Sequence, residues 1–348
     1  MSRFLYHIVL GCTLSWVMLF SACQKDPKIP IEIKVDTIAA LLQPPPRFDE
    51  IPFPEDNPFS MDKWRLGKAF FYDKRLSLDL TKSCGSCHKA SLGFADDEPV
   101  SPGVEERLGT RNSPTLGNVA YLPYYMREGG VPTLELQILV PIQEHAEFDM
   151  NILDVVERLK QDETYTQLSE RACGRELDAY VLTRALSTFE RTLISGNSYY
   201  DKAERGEGVL SPAAQRGKEL FFSAETSCSS CHGGIFFTDH SFKNNGLYAA
   251  YEDPGRYRLT IDSVDLAMFR IPSLRNVALT APYMHDGSMA TIKQVIEHYN
   301  EGGANHLNQS SLVRPLNLTD QQINDLVAFL ESLTDEEFIS NPLFHEEE

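Results

Sequence analysis

Two short motifs, CGSCH at residues 84–88 and CSSCH at residues 228–232, constrain this chain more than any other feature of its sequence. Both match C-x-x-C-H, the attachment signature of c-type haem, in which two thiols bond the haem vinyl groups and the adjacent histidine ligates the iron. A zinc site built from paired C-x-x-C ligands is the alternative, but zinc does not need a trailing histidine in both copies. The predicted attachment residues are Cys84, Cys87, Cys228 and Cys231, and the predicted iron ligands are His88 and His232.

The chain also contains an internal repeat. GKAFF at residues 67–71 and GKELF at residues 217–221 each precede one of the two motifs. Downstream, PTLGNVA at residues 114–120 matches PSLRNVA at residues 272–278, an offset of 158 residues that also pairs Thr133 with Thr291. Such self-similarity predicts two copies of one structural unit, with one haem in each copy.

The N-terminal segment predicts export. Arg3 precedes an apolar run, residues 8–20, that is too short for a comfortable membrane span. The run ends in FSAC at residues 20–23, which resembles the lipobox of bacterial lipoproteins. We therefore predict a lipoprotein signal peptide over residues 1–22 and a lipid anchor on Cys23, with a plain secretory signal as the alternative. Residues 23–58 are rich in proline and are predicted to form a tether.

Length, charge and cysteine content limit the possible partners and folds. The 348 residues leave room for two domains, and a formal charge of −18 disfavours nucleic acid while it suits a basic partner or a small neutral substrate. Of the seven cysteines, Cys12 lies in the signal peptide and Cys173 remains as a predicted free, buried thiol.

The remaining patterns are helical. Ser211 followed by Pro212 predicts a helix start, and Thr319 with Gln322 predicts a capping box in front of another apolar helix face. Strand-like alternation is scarce. We predict a mainly α fold with two tandem cytochrome c-like haem domains related by the internal repeat, at residues 59–205 and 206–340.

Three segments carry a resemblance to a known family. RNSPTL at residues 111–116, PI at residues 141–142 and RNVALTAPYMHDG at residues 275–287 resemble the bacterial di-haem cytochrome c peroxidase and MauG family. The resemblance extends from Trp64 to Leu333. It implies that the first haem meets hydrogen peroxide, whereas the second, six-coordinate haem relays electrons.

The same resemblance implies a distal pocket at the first haem. Aligned from Pro141, the catalytic glutamate of the family falls on Glu147, and Gln137 and Pro141 would line the same pocket. Heterolysis of peroxide needs a group that moves a proton between the two oxygens. His145 is a nearby alternative for this role, and a solvated surface acid is the alternative for Glu147.

The repeat predicts which iron is open. At the offset of 158 residues, Pro141 corresponds to Tyr299. A tyrosine can ligate iron through its phenolate oxygen and a proline cannot, so we predict that Tyr299 is the sixth ligand of the second haem and that the first iron has an open face. MauG-like members use a tyrosine here, whereas many peroxidases use a methionine. The alternatives are Met268, Met284, Met289 and His298, and Tyr299 would otherwise be a core aromatic.

The sequence departs from the family at two places. No histidine lies between His88 and His145, and the intervening loop is GVEE at residues 103–106. We therefore expect a first haem that meets peroxide without prior reduction. Arg127 stands where the family has a tryptophan between the haems, which leaves Trp64 as the only tryptophan after the signal peptide. Electron transfer between the haems is expected to lack its usual aromatic residue.

The family also binds calcium between its domains, through an asparagine side chain and two backbone carbonyls. The matching positions are Asn112, Thr280 and Pro282. Oxygen ligands suit calcium, and an asparagine that caps a turn is the alternative.

Three functions follow from these observations. The first is a di-haem c-type peroxidase that reduces hydrogen peroxide to water with electrons from a small redox protein, a cytochrome c or a cupredoxin. The second is a MauG-like oxidase that modifies a protein or a small molecule, and the third is a non-enzymatic di-haem electron carrier. The predicted location is the periplasmic side of a bacterial membrane, lipid-anchored, with the outer membrane favoured.

Overall fold

The computed structural model describes residues 40–347, so the predicted signal peptide and Cys23 lie outside the described residues. The helices are α1 (Met61–Tyr72), α2 (Cys84–Cys87), α3 (Leu134–Gln137), α4 (Leu139–Gln143), α5 (Ile152–Leu159), α6 (Glu163–Cys173), α7 (Ala179–Arg191), α8 (Tyr199–Glu204), α9 (Pro212–Phe221), α10 (Tyr257–Thr260), α11 (Ile292–Glu301), α12 (Asp320–Glu331) and α13 (Glu336–Ile339). Short 3₁₀ turns span Lys74–Leu76, Ala90–Leu92, Val104–Glu106, Val119–Tyr121, Cys228–Ser230, Ser263–Asp265 and Val277–Leu279. Two strands, β1 (Phe242–Lys243) and β2 (Phe269–Arg270), pair antiparallel, with Phe242 opposite Arg270.

The predicted mainly α fold is confirmed, and so are two of its helix starts. Ser211 caps α9 with its side chain and Pro212 occupies the first turn. Thr319 and Gln322 form a reciprocal capping box at the start of α12. None of the helices within residues 40–347 has both the length and the apolar character needed to cross a bilayer.

The internal repeat corresponds to two copies of one helix crossing. Helix α1 crosses α7 at Gly67, where an added Cβ would lie 1.9 Å from the carbonyl oxygen of Ala185. Helix α9 crosses α12 at Gly217, where an added Cβ would lie 1.9 Å from the carbonyl oxygen of Asp325. Because no Cβ tolerates such a distance, each pair of helices can pack this closely only at its glycine.

The loops that follow the two motifs also repeat. Asn118 and Asn276 both adopt left-handed backbone conformations, with φ of 62° and 58°. Thr133 and Thr291 each cap a helix, and their hydroxyls accept the N–H groups of Leu136 and Gln294. Residues 158 positions apart therefore share conformation as well as identity.

Each unit has its own apolar core, but the C-terminal segment that follows the second unit packs against the first unit. The first core surrounds Trp64 and Phe94, and the second surrounds Phe329. Phe338 and Phe344, from the C-terminal tail, pack into the first core, and Phe338 lies 5.7 Å from Phe94 between ring centroids. The end of the chain therefore returns to the first unit and covers it.

The described part of the predicted tether is also part of the folded body. Asn57 is fully buried, and its amide donates to Glu135 (2.9 Å) and to Ser187 (3.1 Å). Lys63 donates in turn to the side-chain oxygen of Asn57 at 2.9 Å. The prolines of this segment prevent regular structure, but they do not prevent packing. The prediction of a free tether up to residue 58 is therefore wrong at this end.

We predict that Gly67→Ala destabilises the haem-loaded protein by about 1–3 kcal/mol, the usual cost of overpacking a tight contact. The measurement is chemical denaturation followed by circular dichroism. Gly109→Ala is the matched control in the same unit, because its added Cβ would meet only Val100 at an ordinary 3.8 Å. Equal midpoints for the two variants would show that the α1–α7 crossing is not close-packed.

Candidate haem sites and active site

The first motif forms a single helical turn that presents its histidine. Ser83 and Ser86 cap α2 reciprocally, and the backbone N–H of His88 donates to the carbonyl of Cys84 at 2.9 Å. The His88 side chain donates from Nδ1 to the carbonyl of Phe94 at 2.9 Å, which leaves Nε2 available for a metal. Burial lowers the pKa of His88, so the imidazole is held in the neutral form that ligates iron.

The second motif repeats this arrangement. The backbone N–H of His232 donates to the carbonyl of Cys228 at 2.9 Å, and its Nδ1 donates to the carbonyl of Phe237 at 3.1 Å. Burial again lowers the pKa of the imidazole. The structure therefore gives both histidines the same orientation and the same free nitrogen.

The four motif cysteines do not meet in a zinc site. Burial raises the pKa of Cys87 to about 11 and holds that of Cys84 well above its ordinary value. Burial also raises the pKa values of Cys228 and Cys231. Across residues 40–347, no three His, Cys, Asp or Glu side chains meet in a group that could hold a metal ion. Cys173 is a free thiol, as predicted, but it is only half-buried.

Two half-buried arginines between the units fit the charge of haem. Arg127 and Arg270 are adjacent, since the backbone N–H of Arg270 donates to the carbonyl of Arg127 at 2.7 Å. Burial and neighbouring arginines lower the pKa of Arg127 to about 10, and burial lowers that of Arg270. The Nε of Arg270 has no hydrogen-bond partner within the described residues. Buried cations need anionic partners, and haem propionates would supply them.

Glu147 lies in a turn that faces the first motif. The turn is closed by backbone hydrogen bonds from Glu147 to Glu144 (2.9 Å) and from Phe148 to Pro141 (3.1 Å). The Glu147 side chain is accessible to solvent, yet protein atoms surround it closely enough that burial, with the charge of Glu144, raises its pKa to about 7. Its charge also contributes to the raised pKa values of both thiols in the first motif. Glu147 therefore lies close to the thiols of the first motif, and its pKa is raised above the ordinary value of a carboxyl group.

The loop at residues 103–106 holds this turn in place. The backbone N–H of Val104 donates to the carbonyl of Glu147 at 2.9 Å. Gly103 packs so closely that an added Cβ would lie 2.0 Å from the carbonyl oxygen of Ala146. The loop that could have carried a distal histidine thus supports the backbone of Glu147 instead.

The other predicted residues of this pocket take different positions. Gln137 ends α3 and Pro141 lies in α4, both half-buried and within a few residues of the Glu147 turn. His145 has a side chain that is 72% exposed; its Nδ1 lies 3.2 Å from Asp149 and 2.9 Å from Arg107. His145 is therefore part of a surface network, whereas Glu147 lies near the thiols of the first motif.

Tyr299 lies near the second motif. It is on the last turn of α11 and is half-buried. Burial raises the pKa of Tyr299 to about 12, and the thiols of Cys228 and Cys231 are close enough to add to the increase. Such a phenol stays protonated until a metal ion displaces the proton. Its position supports the predicted role as sixth ligand.

Tyr299 and two of its alternatives each have a partner at Asn245, and the Tyr299 hydroxyl hydrogen-bonds the Asn245 side chain. The Nε2 of His298 bonds the carbonyl of Asn245 at 3.0 Å, and the sulfur of Met284 accepts from the Asn245 amide at 3.2 Å. Met268 and Met289 are half-buried and form isolated backbone bridges with Gly255 and Tyr283.

The donors predicted for calcium do not fit that ion. Asn112 is 6% exposed, and its side-chain oxygen accepts from Nη2 of Arg127 at 3.0 Å. Its backbone carbonyl accepts from the same guanidinium at 2.7 and 3.2 Å. Thr280 and Pro282 are half-buried in the facing segment of the second unit. A calcium ion bound to Asn112 would share its oxygens with a fixed positive charge.

Sequence reasoning missed two charged residues that are half-buried or buried. Arg270 carries no motif, and only the packing of β2 against residue 127 reveals its place between the units. Glu190 is 3% exposed, and burial raises its pKa to about 8. One of its carboxylate oxygens has no hydrogen-bond partner among the described residues. The charge of Glu190 also contributes to the raised pKa of Cys84. Its position before Arg191 at the end of α7 gave no local signal of this environment.

Comparisons with known proteins agree with this arrangement. A family model described as di-haem cytochrome c peroxidase matches residues 61–208, and a cytochrome c model matches residues 214–334. The chain is 37% identical to the methylamine utilization protein MauG of Methylorubrum extorquens over 292 residues, 82% of each protein. It is 32% identical to the cytochrome-c peroxidase IdrP1 of Denitromonas iodatirespirans, covering 85% of this chain and 87% of that protein.

A solved structure extends the likeness to three dimensions. The crystal structure of a MauG-like protein associated with microbial copper homeostasis is 35% identical and superposes with a TM-score of 0.83, covering 87% of this chain and 97% of that one. Together with two haem-attachment motifs in repeated helical units, these matches identify the family. The chain belongs to the bacterial di-haem cytochrome c peroxidase and MauG family of oxidoreductases.

Proposed function

We propose that this protein is a lipid-anchored di-haem peroxidase on the periplasmic side of a bacterial membrane, held there through Cys23 after removal of residues 1–22. The overall reaction joins one hydrogen peroxide, two electrons and two protons to give two waters. A small redox protein supplies the electrons. Calcium is left out of this proposal because Arg127 already binds both oxygens of Asn112.

The observation that carries the proposal is the carboxyl group of Glu147. A general acid–base catalyst works best when its pKa lies near the working pH, and the pKa of Glu147 is about 7. The group sits beside the first motif, where the repeat has Pro141 instead of a ligating side chain. An electron carrier has no need of such a group at either haem.

Each residue of the first site has a defined task. His88 would hold the haem iron through Nε2, which its hydrogen bond to Phe94 leaves free. The bound haem supplies the iron and the electrons that cleave the peroxide bond. Glu147 takes the proton from the near peroxide oxygen and returns it to the far oxygen, which leaves as water. Gln137 and Pro141 shape the pocket beside it.

The second site receives electrons. His232 and Tyr299 are the residues that would hold its iron. The chain carries a formal charge of −18, and opposite charge accelerates the encounter of redox partners. A basic cytochrome c or cupredoxin therefore fits as the donor.

A MauG-like oxidase is the second candidate. Tyr299 supports it, because MauG-like members ligate the second haem through a tyrosine. The 37% identity to a MauG protein supports it as well. The two functions differ in the reductant: reduced redox protein accelerates peroxide consumption by a peroxidase, whereas a separate protein or small molecule accelerates that of an oxidase.

We expect Glu147→Gln to slow peroxide reduction by roughly 10²–10⁴-fold, the usual contribution of general acid–base catalysis. The measurement is steady-state oxidation of reduced cytochrome by peroxide, with haem content checked for each variant. His145→Gln is the control, because His145 faces solvent. A large loss in the control variant together with normal turnover by Glu147→Gln would reverse the assignment.

The pH profile gives a second readout of the same prediction. Glu147 must be ionised to accept the first proton, so activity is expected to rise as pH increases through about 7. Glu144→Gln removes the neighbouring negative charge that helps raise this pKa, so the midpoint should move to lower pH. A midpoint that stays unchanged would show that another group titrates.

We predict that Tyr299→Met raises the midpoint potential of the second haem, because a phenolate stabilises ferric iron more than a thioether does. Spectroelectrochemistry, with EPR of the oxidised protein, measures the change. Tyr283→Phe is the control: this tyrosine is also half-buried in the second unit, but its hydroxyl donates to the carbonyl of Val277 at 3.0 Å. Identical spectra for Tyr299→Met and the wild-type protein would rule out tyrosine ligation.

A further inference from the structure

The contact between the two haem units is organised around one asparagine and one arginine. Asn112 comes from the first unit, and its backbone N–H donates to the carbonyl of His285 in the second at 2.8 Å. Arg127 also comes from the first unit, and its carbonyl accepts the backbone N–H of Arg270 in the second at 2.7 Å. The side chain of Arg127 then joins the two anchoring points, because it donates to Asn112.

The guanidinium satisfies every oxygen that Asn112 offers. Nη2 lies 2.7 Å from the backbone oxygen and 3.0 Å from the side-chain oxygen, and Nε lies 3.2 Å from the backbone oxygen. The amide nitrogen of Asn112 donates to the carbonyl of Glu98 at 3.3 Å, which fixes the side-chain oxygen toward the arginine. The asparagine is therefore held in one orientation, with its acceptors on one cation.

We propose that the Arg127 guanidinium stands in for the calcium ion at the junction of the two units, so that the junction forms without a bound metal. The guanidinium is a fixed, planar, positively charged donor, and it is less strongly hydrated than a metal ion. It supplies positive charge to the one predicted calcium ligand that it reaches, the side-chain oxygen of Asn112. A calcium ion needs six to eight oxygen ligands, and here the first of its predicted ligands is already engaged.

The charges around Arg127 disfavour a further cation, because, in addition to burial, Arg111 and Arg270 lie close enough to lower its pKa and only Asp286 and Asp253 oppose them. Arg111 itself forms ion pairs with Asp253, at 2.6 Å, and with Glu128. The acids nearest to Arg111 are thus already paired with it. A second cation beside Arg127 would find neither a free acidic partner among these residues nor a free oxygen on Asn112.

The proposal is independent of which molecule the enzyme oxidises, and metal content tests it directly. Haem-loaded wild-type protein, dialysed against metal-free buffer, should contain far less than one calcium per chain by elemental mass spectrometry. Its thermal midpoint should be the same in EGTA and in millimolar calcium. One tightly held calcium per chain, or a midpoint that falls in EGTA, would overturn the proposal.

Substitution of the arginine provides the complementary test. Arg127→Gln removes the cation and frees the oxygens of Asn112, so this variant should gain a calcium-dependent rise in thermal midpoint. Adding Asn112→Ala to the same variant should abolish that rise. Arg171→Gln, an arginine that is 59% exposed, is the control and should respond to neither EGTA nor calcium. Absence of any calcium response in Arg127→Gln would show that the arginine does not replace the ion.

Discussion

One hydrogen bond, made twice, underlies both haem sites: the Nδ1 of a motif histidine donates to a loop carbonyl a few residues further on. It fixes the imidazole in one tautomer and one orientation, which leaves Nε2 for iron. The acceptors are the carbonyls of Phe94 and Phe237, at 2.9 and 3.1 Å. The ring of Phe94 packs against Phe71 of α1, and the ring of Phe237 packs against Phe221 of α9. Each acceptor residue is therefore held against a helix of the crossing in its own unit.

The two copies then diverge at one structurally equivalent place. In the first unit this place holds Pro141, and the adjacent turn carries Glu147, whose carboxyl has a pKa of about 7. In the second unit it holds Tyr299, which faces the thiols of the second motif. A tyrosine can ligate iron and a proline cannot, so in the proposed function this one difference would separate the site that meets peroxide from the site that relays electrons. The loop at residues 103–106 adds to the difference, because it supports the backbone of Glu147 and contains no histidine.

Local sequence signals predicted the parts of this molecule that depend on local chemistry. The motifs, the 158-residue repeat and the caps at Ser211 and Thr319 are all of this kind, and the structure contains each of them. The raised pKa of Glu147 was not predictable, because it arises from burial in a turn that packs on a loop 40 residues earlier in the chain. Asn57 was assigned to the tether because of the prolines around it. Its hydrogen bonds to Glu135 and Ser187 join residues far apart in the chain, and composition does not reveal such contacts. The contact of Arg127 with Asn112 was likewise not predictable, because it joins two loop residues of the first unit that share no local pattern.

EPR of the purified ferric protein, recorded before and after a slight excess of peroxide and without any reductant, tests the central claim most directly. The account predicts one high-spin haem and one low-spin haem, the low-spin signal carrying a tyrosinate signature, and it predicts that peroxide removes the high-spin signal at once. Two low-spin haems that do not respond to peroxide would contradict an open first site, and with it the division of labour between Pro141 and Tyr299.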